Sequence, residues 1–392
     1  MKLTTKSLRR FARVATVFLA ALSSSCAAGS SILAILEEQC ASQTLPFDEI
    51  ADACKAYLKA IGGNPPAGVP KGAIYKKISI GYENMANAFL AQGKFDSTIA
   101  SALTGLVADP TNSFILVSRG HAYLHIEEYK LARSDFEKLK KATDPSLSVI
   151  GAIGLANLER SLGNSESAVT LYDALLAKES NLTLFGAYLY SGRGMSRFQS
   201  GDYAGALNDF SRALKDTELA SVRSAQAVVY SRLGDSQKAL ESYEIALRHS
   251  TRYDYEVLQR AAWFFATDTD GNRDPARAIA LAEKALAAVT QAEVTDQEVA
   301  EYRYVLGIGL AAAGEDAQAE DQIASALDAY PQIQELVLQN LVRQGFVERS
   351  IGAMSGEGIW EAVRSCLLNS CVPAIGEWCG FRTSVPCREV LR

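Results

Sequence analysis

One pattern of small and large residues returns along the chain at intervals of 34, 36, 38 and 33 residues, measured between positions 93, 127, 163, 201 and 234. In the copy at 201–214, aromatic and small residues alternate at 203, 206, 210 and 213. Steps of three and four residues place them on one face of a helix. Gly201 precedes that helix, and glycine enters the left-handed conformation of a helix end without steric cost. The pattern therefore predicts a helical hairpin that turns at Gly201.

The other copies extend this hairpin into an array. Their turns are predicted at Gly93, Glu127, Gly163, Gly234 and Gly314. The period and the residue order resemble the tetratricopeptide repeat family, whose units place a small residue and an aromatic in the first helix, glycine and an aromatic at the turn, and spaced alanines in the second helix. The resemblance covers roughly 79–333. It implies an all-α fold, a right-handed superhelical solenoid of about seven helical hairpins, with a stapled N-terminal hairpin and a small Cys-rich C-terminal lobe.

Four segments follow from this interpretation: a signal peptide at 1–28, a capping hairpin and linker at 29–72, the solenoid at 73–333 and a C-terminal lobe at 334–392. The signal peptide is predicted from a basic start, an apolar run at 14–22 that is too short to span a bilayer, and small residues at 23–29. Cleavage after Ala28 would give an exported, periplasmic protein with no transmembrane segment. The alternative is a lipoprotein acylated at Cys26.

The charge of the chain excludes one class of partner. With 39 Lys and Arg against 45 Asp and Glu, the net charge is −6. Residues 1–28 hold five basic and no acidic residues, so 34 basic and 45 acidic residues remain after cleavage, a net charge of −11. An acidic surface argues against nucleic acid as the main partner.

Six cysteines remain in the mature chain, and all of them lie outside the repeats. An even number in an exported protein predicts disulfides. Cys40 and Cys54 are expected to face each other across the first hairpin, which resembles the hairpin preceding the first unit in exported bacterial tetratricopeptide proteins. Three pairings are open to the other four, and proximity along the chain favours the first with the second and the third with the fourth. These four are Cys366, Cys371, Cys379 and Cys387.

The segment after the repeats resembles a small peptidoglycan-binding domain. A helix at 333–344 leads to Gly345 and Phe346, a glycine-containing loop, and a second helix at 359–368 with the pair Ala362-Val363. The Asp-Gly of that family's loop is Gly352-Ala353 here, and its usual threonine is Ile359. These departures favour a lobe that caps the array over a working wall-binding site.

No catalytic, metal or cofactor site is predicted. His121 and His125 are four residues apart, but the sequence suggests no third ligand. The acidic loop at 268–274 lacks the sixth-place glycine and twelfth-place glutamate of an EF-hand, because Arg273 and Ile279 occupy those places. The pattern of nucleophiles, bases and phosphate loops matches no enzyme signature.

The family resemblance implies that first helices line a concave groove for a peptide or a partner helix. Its register selects eight candidate partner-binding residues: Phe114, Val117, His121, Asn157, Arg160, Tyr188, Met195 and Phe198. The asparagines suit a clamp for a terminal carboxylate, but Glu83 takes a lysine place of that clamp. The alternative is that the apolar members of this set pack between neighbouring hairpins.

Three functional hypotheses result. The first is a non-enzymatic scaffold of the bacterial cell envelope that binds a partner segment in the groove. The second is an envelope anchor that grips peptidoglycan through 333–392. The third is an enzyme whose site has no recognisable sequence signature.

Overall fold

The computed structural model describes residues 27–42, 44–63, 71–251, 253–292, 296–343, 345 and 356–368, and these are helical apart from short turns and loops. They fall into two compact bodies. The first contains the described residues up to 92 together with 96–119, and the second contains 93–95 and the described residues from 120 onward. No helix in these ranges is both long enough and apolar enough to cross a bilayer.

The first body is built around a disulfide-linked hairpin. Cys40 and Cys54 are joined by a disulfide, as predicted. Both are buried in a cluster with Tyr57, Ile61 and Phe89, which belong to the second helix of that hairpin and to the helix after it. The first helices of the chain are α1 (Ala27–Cys40), α2 (Phe47–Gly63), α3 (Lys71–Ala91), α4 (Phe95–Ala108) and α5 (Ile115–His125).

The helices continue in antiparallel pairs through the second body. The fold class predicted from the repeat pattern is confirmed: within the described residues, seven consecutive hairpins occupy 71–329, as in tetratricopeptide solenoids. The remaining helices are α6 (Tyr129–Lys140), α7 (Pro145–Ser161), α8 (Ser165–Leu176), α9 (Glu179–Gln199), α10 (Tyr203–Ala213), α11 (Ala220–Arg232), α12 (Ser236–His249), α13 (Tyr255–Thr267), α14 (Pro275–Val289), α15 (Asp296–Ala313), α16 (Asp316–Ala329), α17 (Pro331–Arg343) and α18 (Gly356–Leu368).

The predicted turn positions share one backbone conformation. Positive φ angles, between 72° and 83°, occur at Gly93, Gly163, Gly201, Gly234 and Gly314. Glu127 occupies the same place in the second repeat hairpin and has a φ of 62° without being glycine. The left-handed turn is thus a requirement of the hairpin that this chain meets even where the residue resists it.

Each hairpin is closed by a small residue opposite an aromatic one. In the hairpin of α9 and α10, a Cβ atom on Gly194 would lie 2.8 Å from the ring of Phe210, which is fully buried beside Ala206. A larger residue at 194 would push the two helices apart. This explains why the repeat pattern alternates small and aromatic residues on facing helices.

The last two helices are continuous with the repeats. Ile333, Val337 and Val363 belong to the same buried cluster as Phe210 and Tyr243 of the repeat hairpins. Arg364 also forms an ion pair with Asp316 at 2.5 Å. The segment is therefore packed as a cap of the second body within the described residues.

Several predictions fall on other parts of the chain. The signal peptide at 1–26, the loop with Gly352, and Cys371, Cys379 and Cys387 lie outside the described residues. Cys366 is buried and disulfide-bonded. The proposed pairing of the four C-terminal cysteines thus stays a prediction.

Candidate functional site

The candidate residues are best described by their distance from the turn of their own hairpin. Tyr188 precedes Gly201 by 13 residues, and Phe114 and Ile80 precede Glu127 and Gly93 by the same distance. All three have exposed side chains; Phe114 is 50% and Tyr188 is 66% exposed. The start of the first helix is therefore where a hairpin of this chain leaves an apolar side chain in solvent.

In the first body, polar residues beside Phe114 bond to one another. Asn112 donates hydrogen bonds to Ser79 and Glu83, and Ser118 donates to Asn87. Burial raises the pKa of Glu83, and the hydrogen bond from Asn112 opposes that shift. Val117 is half-buried. The asparagine that suited a carboxylate clamp is thus hydrogen-bonded within the first body.

His121 in the second body is directed toward an aromatic ring. Its imidazole meets Phe136 edge to face with centroids 5.4 Å apart, and the side chain is half-buried. Burial lowers the pKa of His121, so the neutral form is favoured. His125, one turn later, stacks on Phe95 at 4.5 Å. Among the residues that the structure describes, no group of three or more His, Cys, Asp or Glu side chains is placed to hold a metal ion.

Asn157 and Arg160 lie one turn apart on α7. Asn157 accepts a hydrogen bond of 2.8 Å from Tyr172, whose side chain is fully buried in the same hairpin. The Nε atom of Arg160 is buried and has no hydrogen-bond partner. Burial lowers the pKa of Arg160, and the nearby charge of Glu256 acts in the opposite direction. Asn157 is thus engaged, whereas Arg160 keeps an unused donor.

Three predicted groove residues of α9 differ in their surroundings. Tyr188 is exposed at the start of the helix, and Met195 is half-buried against the large core cluster. Phe198 is 5% exposed and its ring lies 5.7 Å from that of Tyr203 beyond the turn. Phe198 therefore has to be corrected from a groove residue to a core residue, because the turn and the next helix cover the end of α9.

A cluster of ion pairs lies between α9 and its neighbours. Asp209 is fully buried and accepts hydrogen bonds from Arg193, at 2.6 and 2.9 Å, and from Arg197, at 2.8 Å. Arg193 also pairs with Asp173 at 2.5 Å. The pKa of Arg193 is raised, chiefly by the hydrogen bond to Asp209. Every charge in this cluster meets an opposite one, which is how proteins tolerate buried ions.

The sequence reasoning missed a second polar group, on α13. Arg260 is 2% exposed and donates hydrogen bonds of 3.0 Å to Ser224 of α11 and to Glu256. Gln259 is 6% exposed, and its Nε2 atom is buried without a partner. Glu256 and Gln259 are three residues apart, so they lie on one side of α13. We call Arg160, Glu256, Gln259 and Arg260 the Arg160 cluster.

The register of α13 hides this cluster in the sequence. The interval between Gly234 and Gly314 is 80 residues and holds a loop of its own between α13 and α14. That loop is not arranged as an EF-hand: Asp268 accepts hydrogen bonds from Ser236 and from the backbone of Asp270 and Asn272. Counting back from the small residue Ala262, as in the other hairpins, would have selected Gln259.

Comparison with known proteins supports the repeat assignment. The family profile of the tetratricopeptide repeat matches residues 153–221 and 191–254, which lie in the third to fifth repeat hairpins and the turn after them. No curated protein sequence matches the chain significantly. The repeats are therefore tetratricopeptide-like, and the surface of their first helices is where such arrays offer room for a partner.

Solved structures share the fold at low sequence identity. A chain of the APC/C hetero-tetramer Cut9–Hcn1 has a TM-score of 0.54 and 14% identity, with 86% of this chain and 59% of that chain covered. This protein thus spans less than two thirds of the Cut9–Hcn1 chain's length. A tetratricopeptide repeat protein from Parabacteroides merdae has a TM-score of 0.40 and 19% identity, with 64% and 93% covered. The tetratricopeptide domain of P58(IPK) has a TM-score of 0.26 and 15% identity, with 87% and 99% covered.

Proposed function

We propose that this protein is a non-enzymatic scaffold of the bacterial cell envelope, and that a segment of a partner protein binds along the first helices of its second body. The exposed ring of Tyr188 carries the proposal. The aromatic residues that close the hairpins, such as Tyr172 and Phe210, are fully buried. A tyrosine left in solvent is the kind of side chain that anchors protein interfaces.

The surroundings of Tyr188 suit a peptide better than a small substrate. Met195 lies two turns further along α9 and is half-buried, so it adds adaptable apolar surface. Arg160, on the first helix of the preceding hairpin, adds a positive charge. Apolar anchors at helical spacing with a charge nearby match a bound helix or an extended segment.

Location in the envelope is supported by two features of the chain. One is the basic and apolar N-terminal sequence with small residues before position 29. The other is the disulfide between Cys40 and Cys54, since such bonds persist in oxidising compartments. Mass spectrometry of the protein from its native host tests this proposal. A mature N-terminus at Gly29 or an acylated Cys26 supports it, and an intact Met1 with free thiols at Cys40 and Cys54 contradicts it.

Photo-crosslinking in the native host tests the proposed surface. A photoreactive phenylalanine analogue replaces Tyr188 in one variant and Leu233 in another. Leu233 is also exposed but lies at the turn between α11 and α12. We expect a discrete adduct from position 188 and none of the same mass from position 233. Identical adducts from both positions would mean that the surface is merely sticky.

The partner identified in this way allows a quantitative test. Tyr188→Ala should weaken its binding to the purified protein by about tenfold or more, since buried aromatic anchors dominate interface energies. Leu233→Ala is the matched control and should bind as wild type does. Unchanged affinity of the Tyr188→Ala variant would remove Tyr188, and the proposed surface with it.

A further inference from the structure

We propose that the Arg160 cluster is an anion subsite that binds the carboxylate of an acidic side chain in the partner segment. This inference rests on the proposed function, because it names the chemistry of the segment that binds there. It starts from the position of Arg160 in its hairpin. Arg160 precedes Gly163 by three residues, as Phe198 precedes Gly201. The place that one hairpin fills with a core phenylalanine is filled with a guanidinium in the hairpin before it.

A cation at such a place normally needs an anion. Arg160 forms no ion pair with any residue in the described part of the chain, and its buried Nε donates to nothing. The nearest acidic influence is Glu256, whose carboxylate already accepts a hydrogen bond from Arg260. One carboxylate thus faces two guanidinium groups. An uncompensated buried charge is costly, so a missing counter-ion supplied by a ligand explains why the charge is kept.

Gln259 supplies a second donor with the same need. Its Nε2 is buried and unpartnered, and it lies one helical turn from Glu256 on the same side of α13. Buried amide donors are almost always satisfied, which makes two unsatisfied donors in one cluster unusual. A guanidinium and an amide together present N–H groups to an acceptor with several lone pairs.

The carboxylate is favoured over a more highly charged ligand by two observations. Glu256 stays close to Arg160, so a group with two or more negative charges would meet repulsion as well as attraction. The net charge of −6 also disfavours long polyanions such as nucleic acid. A single acidic residue flanked by apolar residues would satisfy Arg160 and Gln259 and still contact Tyr188.

The test uses the purified full chain and three pools of peptides of about nine residues, the length of a typical bound segment. The pools share random flanks of Ala, Ser, Leu and Tyr. The first has a central Glu and blocked ends, the second has a central Gln and blocked ends, and the third has a central Gln and a free C-terminal carboxylate. Peptides retained by the protein are quantified by mass spectrometry.

We expect retention of the Glu pool to exceed that of the Gln pool by about tenfold, the size of one charge-assisted hydrogen-bonded pair. Arg160→Gln should abolish this preference and leave the melting temperature unchanged or raised. Arg273→Gln removes an exposed arginine of the second body and should keep the preference. A preference that survives Arg160→Gln, or a large loss of stability in that variant, would overturn the inference.

The remaining outcomes separate the two proposals. Equal retention of the Glu and Gln pools, both weakened by Tyr188→Ala, would overturn the subsite and leave the partner-binding surface in place. Preference for the third pool would overturn the side-chain source and assign the cluster to a terminal carboxylate. Retention of no pool at all would count against both the subsite and the proposed function.

Discussion

Two groups of buried arginines lie in the same body and are treated in opposite ways. Arg193 and Arg197 share the fully buried Asp209, and Arg193 adds Asp173. Arg160 lies at the end of the preceding first helix with an unpartnered Nε and only the already engaged Glu256 near it. In this repeat fold, burial alone does not distinguish scaffold from site. The completeness of the pairing does.

Removing the anion of the paired cluster should have the largest effect on stability. Asp209→Ala leaves two guanidinium groups without their shared carboxylate and should lower the free energy of unfolding by about 3–5 kcal/mol. Asp216→Ala is the control, since Asp216 is exposed. Urea denaturation followed by circular dichroism measures both variants. A loss below about 1 kcal/mol for Asp209→Ala would erase the contrast between the two arginine groups.

The disulfide stabilises the first body without any part of the Arg160 cluster. Replacing both Cys40 and Cys54 by Ala opens a loop closed across 14 positions and should cost about 3 kcal/mol in the chain-entropy model. The unfolding transition of the variant measures the loss. Binding of the Glu peptide pool should stay as in wild type at temperatures where the variant is folded. A loss of binding in the folded variant would show that the two functions of the chain are not separated in this way.

Overpacking tests whether the hairpins of the scaffold share their interfaces. Ala206→Leu should force α9 and α10 apart at an overpacking cost of about 1–3 kcal/mol. Hydrogen exchange should rise in α8 and α12 as well, because neighbouring repeats stabilise each other. Ala204→Leu adds the same side chain at an exposed place on α10 and serves as the control. Faster exchange confined to α9 and α10 would contradict a shared scaffold.

The smallest effect is expected at the turn that lacks glycine. Glu127 adopts a positive φ of 62°, which costs a residue with a Cβ atom about 1 kcal/mol. Glu127→Gly should therefore raise the free energy of unfolding by about that amount. Lys130→Gly, at an exposed place within α6, should lower it by about 1 kcal/mol. Destabilisation by both variants would mean that the left-handed turn carries no strain.

The hairpins could be predicted from the sequence because their requirements restrict residue types. A left-handed turn favours glycine, and a close helix pair needs a small residue opposite an aromatic one, as in Gly194 and Phe210. The first cysteine pair was also predictable, since Cys40 and Cys54 lie on adjacent helices of a short hairpin. These features leave a mark at fixed spacing, and spacing survives in the sequence.

The candidate site was less predictable because exposure depends on the neighbouring chain. Phe198 and Tyr188 share one helix and one predicted surface, yet the segment beyond Gly201 covers only Phe198. Gln259 was missed because an inserted loop shifts the spacing between α13 and its turn. The absence of a partner for Arg160 depends on three-dimensional neighbours that no spacing reveals.

One comparison of stabilities tests most directly whether Arg160 belongs to a site and Arg193 to the scaffold. Arg193→Met and Arg160→Met each exchange a guanidinium for an apolar group on a similar stem, and urea denaturation gives the free energy of unfolding of both variants. We predict a loss of about 3–5 kcal/mol for Arg193→Met, which strands Asp209. Arg160→Met should stay within about 0.5 kcal/mol of wild type or exceed it, because an uncompensated charge is removed. A loss of similar size in both variants would contradict the account and make Arg160 part of the scaffold.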